Sequence, residues 1–358
     1  MIKRFLILFY FSLCFVASFS QNKVENVIII TADGLRWQEL FSGMDSAIAK
    51  NKKFNQGDSA NIFKNYWNDE ATERRIKLAP FIWSTIMNNG QIYGNRIYNC
   101  KVNTANPYRF SYPGYNEIFT GYADTIINSN DYPNNPNVNL LEFLNHNKRY
   151  AGRVAAFTAW DAFNQILNEE RSGFPVMAAF DTTIANTPAK RLFNDMLNNS
   201  YKPFGNHECL DMFTHYSAME YLKEKKPKVL YIGYGETDEW AHARQYRDYL
   251  NSIHQLDKWI QDIWNYIQSE PRYKNKTALF ITTDHGRGDT IKEQWTTHGE
   301  VIPEASEIWF AVIAPAVSAK GEIKESKQIY QKQFSQTIAS LLGLTFEANH
   351  PVGEKIKL

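Results

Sequence analysis

Four apolar runs in this chain each stop at a turn that carries an aspartate. Val27-Ile28-Ile29-Ile30-Thr31 leads to Asp33, 153–158 to Asp161, 229–233 to Asp238, and Ala278-Leu279-Phe280-Ile281 to Asp284. Runs that are apolar at consecutive positions mark strands covered on both faces. The spacing between them leaves room for helical crossovers. The expected fold is therefore α/β: a mostly parallel central sheet with helices on both faces. Leu250, Ile253, Leu256, Ile260, Ile263, Trp264 and Ile267 recur at helical spacing and predict an amphipathic helix over 247–268. Shorter helices are expected over 79–87, 116–122, from Asn139 to Leu144, and over 334–342, where Gly343 ends the last. Two more strands are expected at 91–98 and 307–313.

Open α/β sheets bind ligands beyond the carboxyl ends of their strands. Several carboxylates gathered there are costly without cations to neutralise them. The stretch 280–288, FITTDHGRG, sets Asp284 beside His285 and follows them with Gly286 and Gly288. A carboxylate next to an imidazole is ligand chemistry for Zn²⁺. Asp238 and His242 are four apart, so a helical turn puts both on one face. His298 lies in Thr296-Thr297-His298-Gly299. Ser111 precedes Pro113 and a predicted helix, so it sits at or near a helix amino terminus, where free N–H groups and the dipole favour anions.

The first twenty residues read as a secretory signal peptide: Lys3 and Arg4, an apolar run from Phe5 to Val16, then Ser18-Phe19-Ser20 before Gln21. The run is short of the ~20 residues that span a bilayer. The expected protein is exported, periplasmic or secreted, with no membrane span after the signal is removed. The formal charge of +1 offers no electrostatic case for nucleic acid or an anionic membrane. Past the signal only Cys100 and Cys209 remain, too few for a thiolate cluster and enough for one disulfide. Residues 21–358 are expected to form one catalytic domain, with excursions at 42–75 and 160–226 carrying specificity.

Taken together, these residues resemble the alkaline phosphatase superfamily, most nearly its nucleotide pyrophosphatase/phosphodiesterase branch. There a Thr or Ser nucleophile opens a T-F-P-N-H-Y-x-I-V-T-G stretch. Ser111-Tyr112-Pro113 through Ile118-Phe119-Thr120-Gly121 is similar at the same spacing. The resemblance implies two Zn²⁺ ions per chain. Asp33, Asp284, His285 and the Ser111 hydroxyl would hold one; Asp238, His242 and His298 would hold the other. It implies that Ser111 attacks a small phosphate ester and becomes a phosphoserine, with the ions roughly 4 Å apart. Asn130 or Asn128 would contact the phosphate. Gly114-Tyr115 replace the branch's Asn-His. Exported phosphomonoesterases of the superfamily place Lys-x-Arg where this chain has Ala159-Trp160-Asp161. Without those cations a dianionic monoester loses charge-assisted hydrogen bonds, so Trp160 and its surroundings favour a diester. The alternative is a phosphomonoesterase or phosphotransferase drawing a cation from Arg109, Arg171 or Arg244. A non-catalytic metal-binding protein is a third reading, and a sulfatase would need Arg where Tyr115 stands.

Overall fold

The computed structural model describes residues 24–182 and 186–358, so the signal-peptide reading of 1–20 lies outside the described residues. The strands described are β1 (Asn26–Ala32), β2 (Gln91–Tyr93), β3 (Cys100–Asn103), β4 (Val154–Thr158), β5 (Val176–Ala178), β6 (Val229–Tyr234), β7 (Thr277–Thr282), β8 (Glu307–Ile308), β9 (Phe310–Ile313), β10 (Gly321–Glu322) and β11 (Lys327–Tyr330). Eight of them form one sheet in the order β10-β2-β9-β7-β1-β6-β4-β5. From β7 to β5 every pairing is parallel. β9 runs antiparallel to both β7 and β2. The expected mostly parallel α/β sheet is the observed one.

The consecutive apolar positions serve two cores. Ile28 and Ile30 of β1 enter one core with Leu230, Ile232, Leu279 and Ile281. Val27 and Ile29 enter the other with Val229, Tyr231, Ala278 and Phe280. The helix Tyr246–Ser269 covers the first through Leu250, Ile253, Leu256, Ile260, Ile263 and Ile267. The helices Ser111–Thr120 and Phe334–Leu341 cover the second.

Several local expectations are corrected. The 160–226 segment, expected to be an excursion, contains the edge strand β5 and the helices Pro188–Asn199 and Asp211–Lys225. The latter buries Thr214 and His215 beside Phe213, Ala218, Met219 and Leu222, so its inward face reads as polar in part. Segment 42–75 is largely helical and sends Ile48, Ile62 and Tyr66 into the first core. The 91–98 strand stops at Tyr93, because Gly94 turns the chain at φ +121°. The 307–313 strand divides: β8 joins a small second sheet with β3 and β11, and β9 stays in the large one. Cys100 and Cys209 are both buried and free. Among the described residues no helix is long and apolar enough to cross a membrane.

Candidate active site

Because β1, β6 and β7 are parallel neighbours, their carboxyl ends open on one edge of the sheet. Asp33 directly follows β1, Asp284 lies just past β7, and Asp238 sits in the helix Glu236–His242 that begins beyond β6. Ser111 opens the helix Ser111–Thr120, which starts ahead of the 116–122 expected and takes Pro113 into its first turn. Its Oγ lies 3.4 Å from Asp33 Oδ1 and 3.4 Å from His285 Nε2. His285 Nε2 is also 3.4 Å from Asp284 Oδ2 and 3.6 Å from Asp238 Oδ1. Across the site, His242 Nε2 is 3.0 Å from Asp238 Oδ2 and 3.0 Å from His298 Nε2. All seven ligand positions expected from the sequence therefore meet at one place.

This cluster fits divalent metal on its own geometry. Asp33, Asp284 and His285 can offer one ligand atom each to a common point, and so can Asp238, His285 and His298. Asp284 Oδ2 is buried without a hydrogen-bond partner. Two imidazole nitrogens 3.0 Å apart cannot both present lone pairs without a cation or proton between them. His285 Nδ1 faces the Gly286 carbonyl at 2.9 Å, and His298 Nδ1 the Arg109 carbonyl at 3.2 Å. A carbonyl only accepts, so each Nδ1 carries the proton and each Nε2 is left free to ligate.

The charges are unbalanced without such an ion. Burial, and then the neighbouring Asp238 charge, pushes the Asp33 carboxyl well above its ordinary range. Burial and Asp33 do the same to Asp284. Burial also works to raise Asp238, but Arg287, His242 and His298 together hold it well below. Burial and the adjacent His285 drive His298 well below an ordinary histidine.

Arg287 is the functional neighbour that sequence reasoning missed. It is almost fully buried, donates to Asp238 Oδ1 and to the Asp238 and Gly34 carbonyls, and its position directly after Asp-His-Gly was the available signal. Glu208 was missed as well; it is buried against Gly235 with Oε1 unpaired, and burial pushes it well up. Tyr115, which replaces the branch's His, faces inward. It is buried and donates to Asp33 Oδ2 at 3.0 Å. Asn130 and Asn128 are both exposed; Asn130 accepts from the Tyr112 N–H at 2.9 Å, one residue from Ser111. Trp160 is half-buried beside Phe163. Arg171 stands outside the site, clamped on Glu142 by two 2.8 Å hydrogen bonds and on the carbonyls of 135–137. The Arg109 guanidinium donates to the Glu300 and Ile302 carbonyls. His215, which matched no ligand position, stacks on Trp259 and bonds Tyr234, a structural role.

The Metalloenzyme superfamily model matches residues 202–342. That span contains Asp238, His242, Asp284, His285 and His298, but not Asp33 or Ser111. No curated protein matches the chain in sequence. Among solved structures, wild-type alkaline phosphatase PafA is similar at a TM-score of 0.60 and 11% identity, over 93% of this chain and 98% of that one. The lipoteichoic acid synthase LtaP from Listeria monocytogenes is similar at 0.56 and 13%, over 90% and 73%. The 2-O GAG sulfatase BT1596 is similar at 0.56 and 13%, over 91% and 72%. These identities carry the fold and leave the substrate open. The chain therefore shares the fold of wild-type alkaline phosphatase PafA, and the Metalloenzyme superfamily model covers the segment that holds five of its seven candidate ligands.

Proposed function

We propose that the protein is an exported, zinc-dependent phosphoesterase that prefers small diesters and works through a phosphoserine at Ser111. The observation that carries this reading is the Ser111 hydroxyl itself. It lies at a helix amino terminus, 3.4 Å from Asp33 and from His285, inside a cluster of three carboxylates and three histidines. Asp33, Asp284, His285 and Ser111 would hold one zinc ion, and Asp238, His242 and His298 the other. Bound there, zinc supplies Lewis acidity and makes the Ser111 hydroxyl acidic near neutral pH.

The chain's own residues would then do the following. Ser111 Oγ forms a bond to phosphorus while the bond to the ester oxygen opposite breaks, and the alcohol leaves. Water then cleaves the phosphoserine and releases the phosphate product. Asn130, fixed by the Tyr112 N–H, leaves its amide N–H groups to meet a phosphate oxygen. Tyr115 and the Gly34 N–H hold Asp33 and Asp284 in place.

The diester preference rests on the side chains that stand in place of a monoesterase's Lys-x-Arg. Trp160 and Asp161 stand where a monoesterase would carry Lys-x-Arg, and Arg171 is spent on Glu142. A cavity of about 470 Å³ beside Asn130, lined also by Tyr132, Asp161, Ala162 and Gln165, has room for a second ester group. The experiment compares bis-p-nitrophenyl phosphate with p-nitrophenyl phosphate on the zinc-loaded protein and on Ser111→Ala. The diester should give the higher kcat/KM, and Ser111→Ala should abolish both activities while remaining folded. A faster monoester would favour the phosphomonoesterase or phosphotransferase reading. Wild-type rates in Ser111→Ala would reduce Ser111 to a helix-start residue.

A further inference from the structure

We infer that Glu117, a buried carboxylate outside the metal cluster, is a positioning residue that braces ligands of both metal positions from the nucleophile's own helix. The inference rests on the metal reading proposed above. Glu117 is six residues after Ser111 in the helix Ser111–Thr120 and is fully buried. Among the described residues no cation pairs with it. Instead it accepts from four N–H donors on two separate segments: the backbone N–H of Ala105 at 2.8 Å, Asn106 at 2.9 Å and Lys332 at 2.9 Å, and the Asn106 side chain at 2.9 Å. A buried carboxylate saturated by fixed donors has little freedom to move, and it transmits that rigidity to what it holds.

Each segment ends on a ligand. On one side, Asn106 Oδ1 accepts from the Tyr108 and Arg109 N–H groups at 3.1 and 2.9 Å. These bonds hold Arg109 in a left-handed conformation at φ +57°, which a residue with a side chain adopts only under local constraint. The Arg109 carbonyl so placed accepts from His298 Nδ1 at 3.2 Å and sets which nitrogen of His298 is free to ligate. On the other side, Lys332 follows Gln331, whose side-chain amide donates to the Thr283 and Asp284 carbonyls at 3.2 and 2.7 Å. His298 belongs to one proposed zinc position and Asp284 to the other. One carboxylate thus ties both to the helix that presents Ser111.

The test is zinc affinity by competition with a chelator on Glu117→Gln, which keeps shape but turns an amide NH₂ towards backbone donors. Loss of a partner behind a metal ligand typically weakens binding ten- to a hundredfold, and that range is expected. The His298 imidazole should at the same time show mixed tautomers by nitrogen NMR in the metal-free protein. Asp257→Asn is the matched control. Asp257 is likewise buried and accepts from two backbone N–H groups, those of Phe81 and Ile82, but leads to no ligand. It should keep wild-type zinc affinity even where its melting temperature falls. If Glu117→Gln does not fold, Asn106→Ala cuts the same relay at its second link and should weaken zinc about tenfold. Wild-type affinity in the variant tested, or an equal loss in Asp257→Asn, overturns the inference. A wild-type protein that takes up no zinc overturns the metal reading, and this inference with it.

Discussion

Gly114→Ala tests how tightly the helix that begins at Ser111 is pressed against the turn that carries Asp284. A Cβ added at Gly114 would stand 2.6 Å from the Asp284 carbonyl oxygen and 3.2 Å from Asp284 Cβ. Carbon–oxygen contacts in proteins settle near 3.3–3.6 Å, so the helix must withdraw by roughly 0.7 Å. Asp284 cannot retreat instead. Its carbonyl is held by Gln331 at 2.7 Å, and its carboxylate by the Gly34 N–H at 3.0 Å. In an unconstrained helix, replacing glycine by alanine stabilises by about 0.5–1 kcal/mol. Here overpacking should reverse the sign and cost about 1–3 kcal/mol. Moving Ser111 by even ~1 Å relative to the metal ligands can lower the rate about a hundredfold. Thermal melting of the zinc-loaded protein gives the first number and kcat/KM for bis-p-nitrophenyl phosphate the second. A variant more stable than wild type with an undiminished rate would refute the reasoning, because the close approach would then not constrain the site.

Chelation should lower the melting temperature and zinc should restore it, with about two equivalents needed per chain; melting indifferent to zinc would remove the metal assignment. Arg171→Ala should destabilise by about 1–2 kcal/mol, allowing for the partial exposure of the guanidinium. It should leave the diester-to-monoester ratio unchanged, and a shifted ratio would return Arg171 to the site. Burial pushes Asp257 from 3.8 up to about 7, against the Phe81 and Ile82 N–H groups that favour its charge. The folded state then keeps a proton that the unfolded state releases between about pH 4 and 7, so stability falls as pH rises through that window, by at most about 4 kcal/mol. Urea titrations at pH 5 and pH 8 should show a smaller drop in Asp257→Asn than in wild type, and equal drops would contradict the assignment.

The centre of the sheet was legible because β1, β6 and β7 are apolar on both faces, a pattern no surface strand shares. Part of the candidate cluster was legible because its spacing is local: Asp238 with His242 on one helical turn, and Asp284 beside His285. What escaped was decided at long range. Arg287 and Glu117 look like surface charges until the chain folds around them. Arg171 stood near the site in sequence but is drawn away by Glu142, twenty-nine positions earlier. The helix Asp211–Lys225 hid because it turns Thr214 and His215 inward, where Tyr234 and Trp259 meet the histidine. Tyr115 stands where the resembled branch carries a histidine, and only packing against Phe163 and Asp33 shows it facing the core.

The place of β1 in the sheet also governs how the chain can be made. Among the described strands it comes first in the chain, yet both of its partners come late: Val27 pairs with Val229 on one side and with Ala278 on the other. While some two hundred residues are synthesised, a seven-residue run of mostly aliphatic side chains has neither edge covered. Pairing at such separations is slow, because loop closure must precede any gain from contact. The waiting strand is suited to pair with its like on another nascent chain. Refolding should accordingly lose yield as protein concentration rises, and a holdase that masks residues 26–32 should recover it.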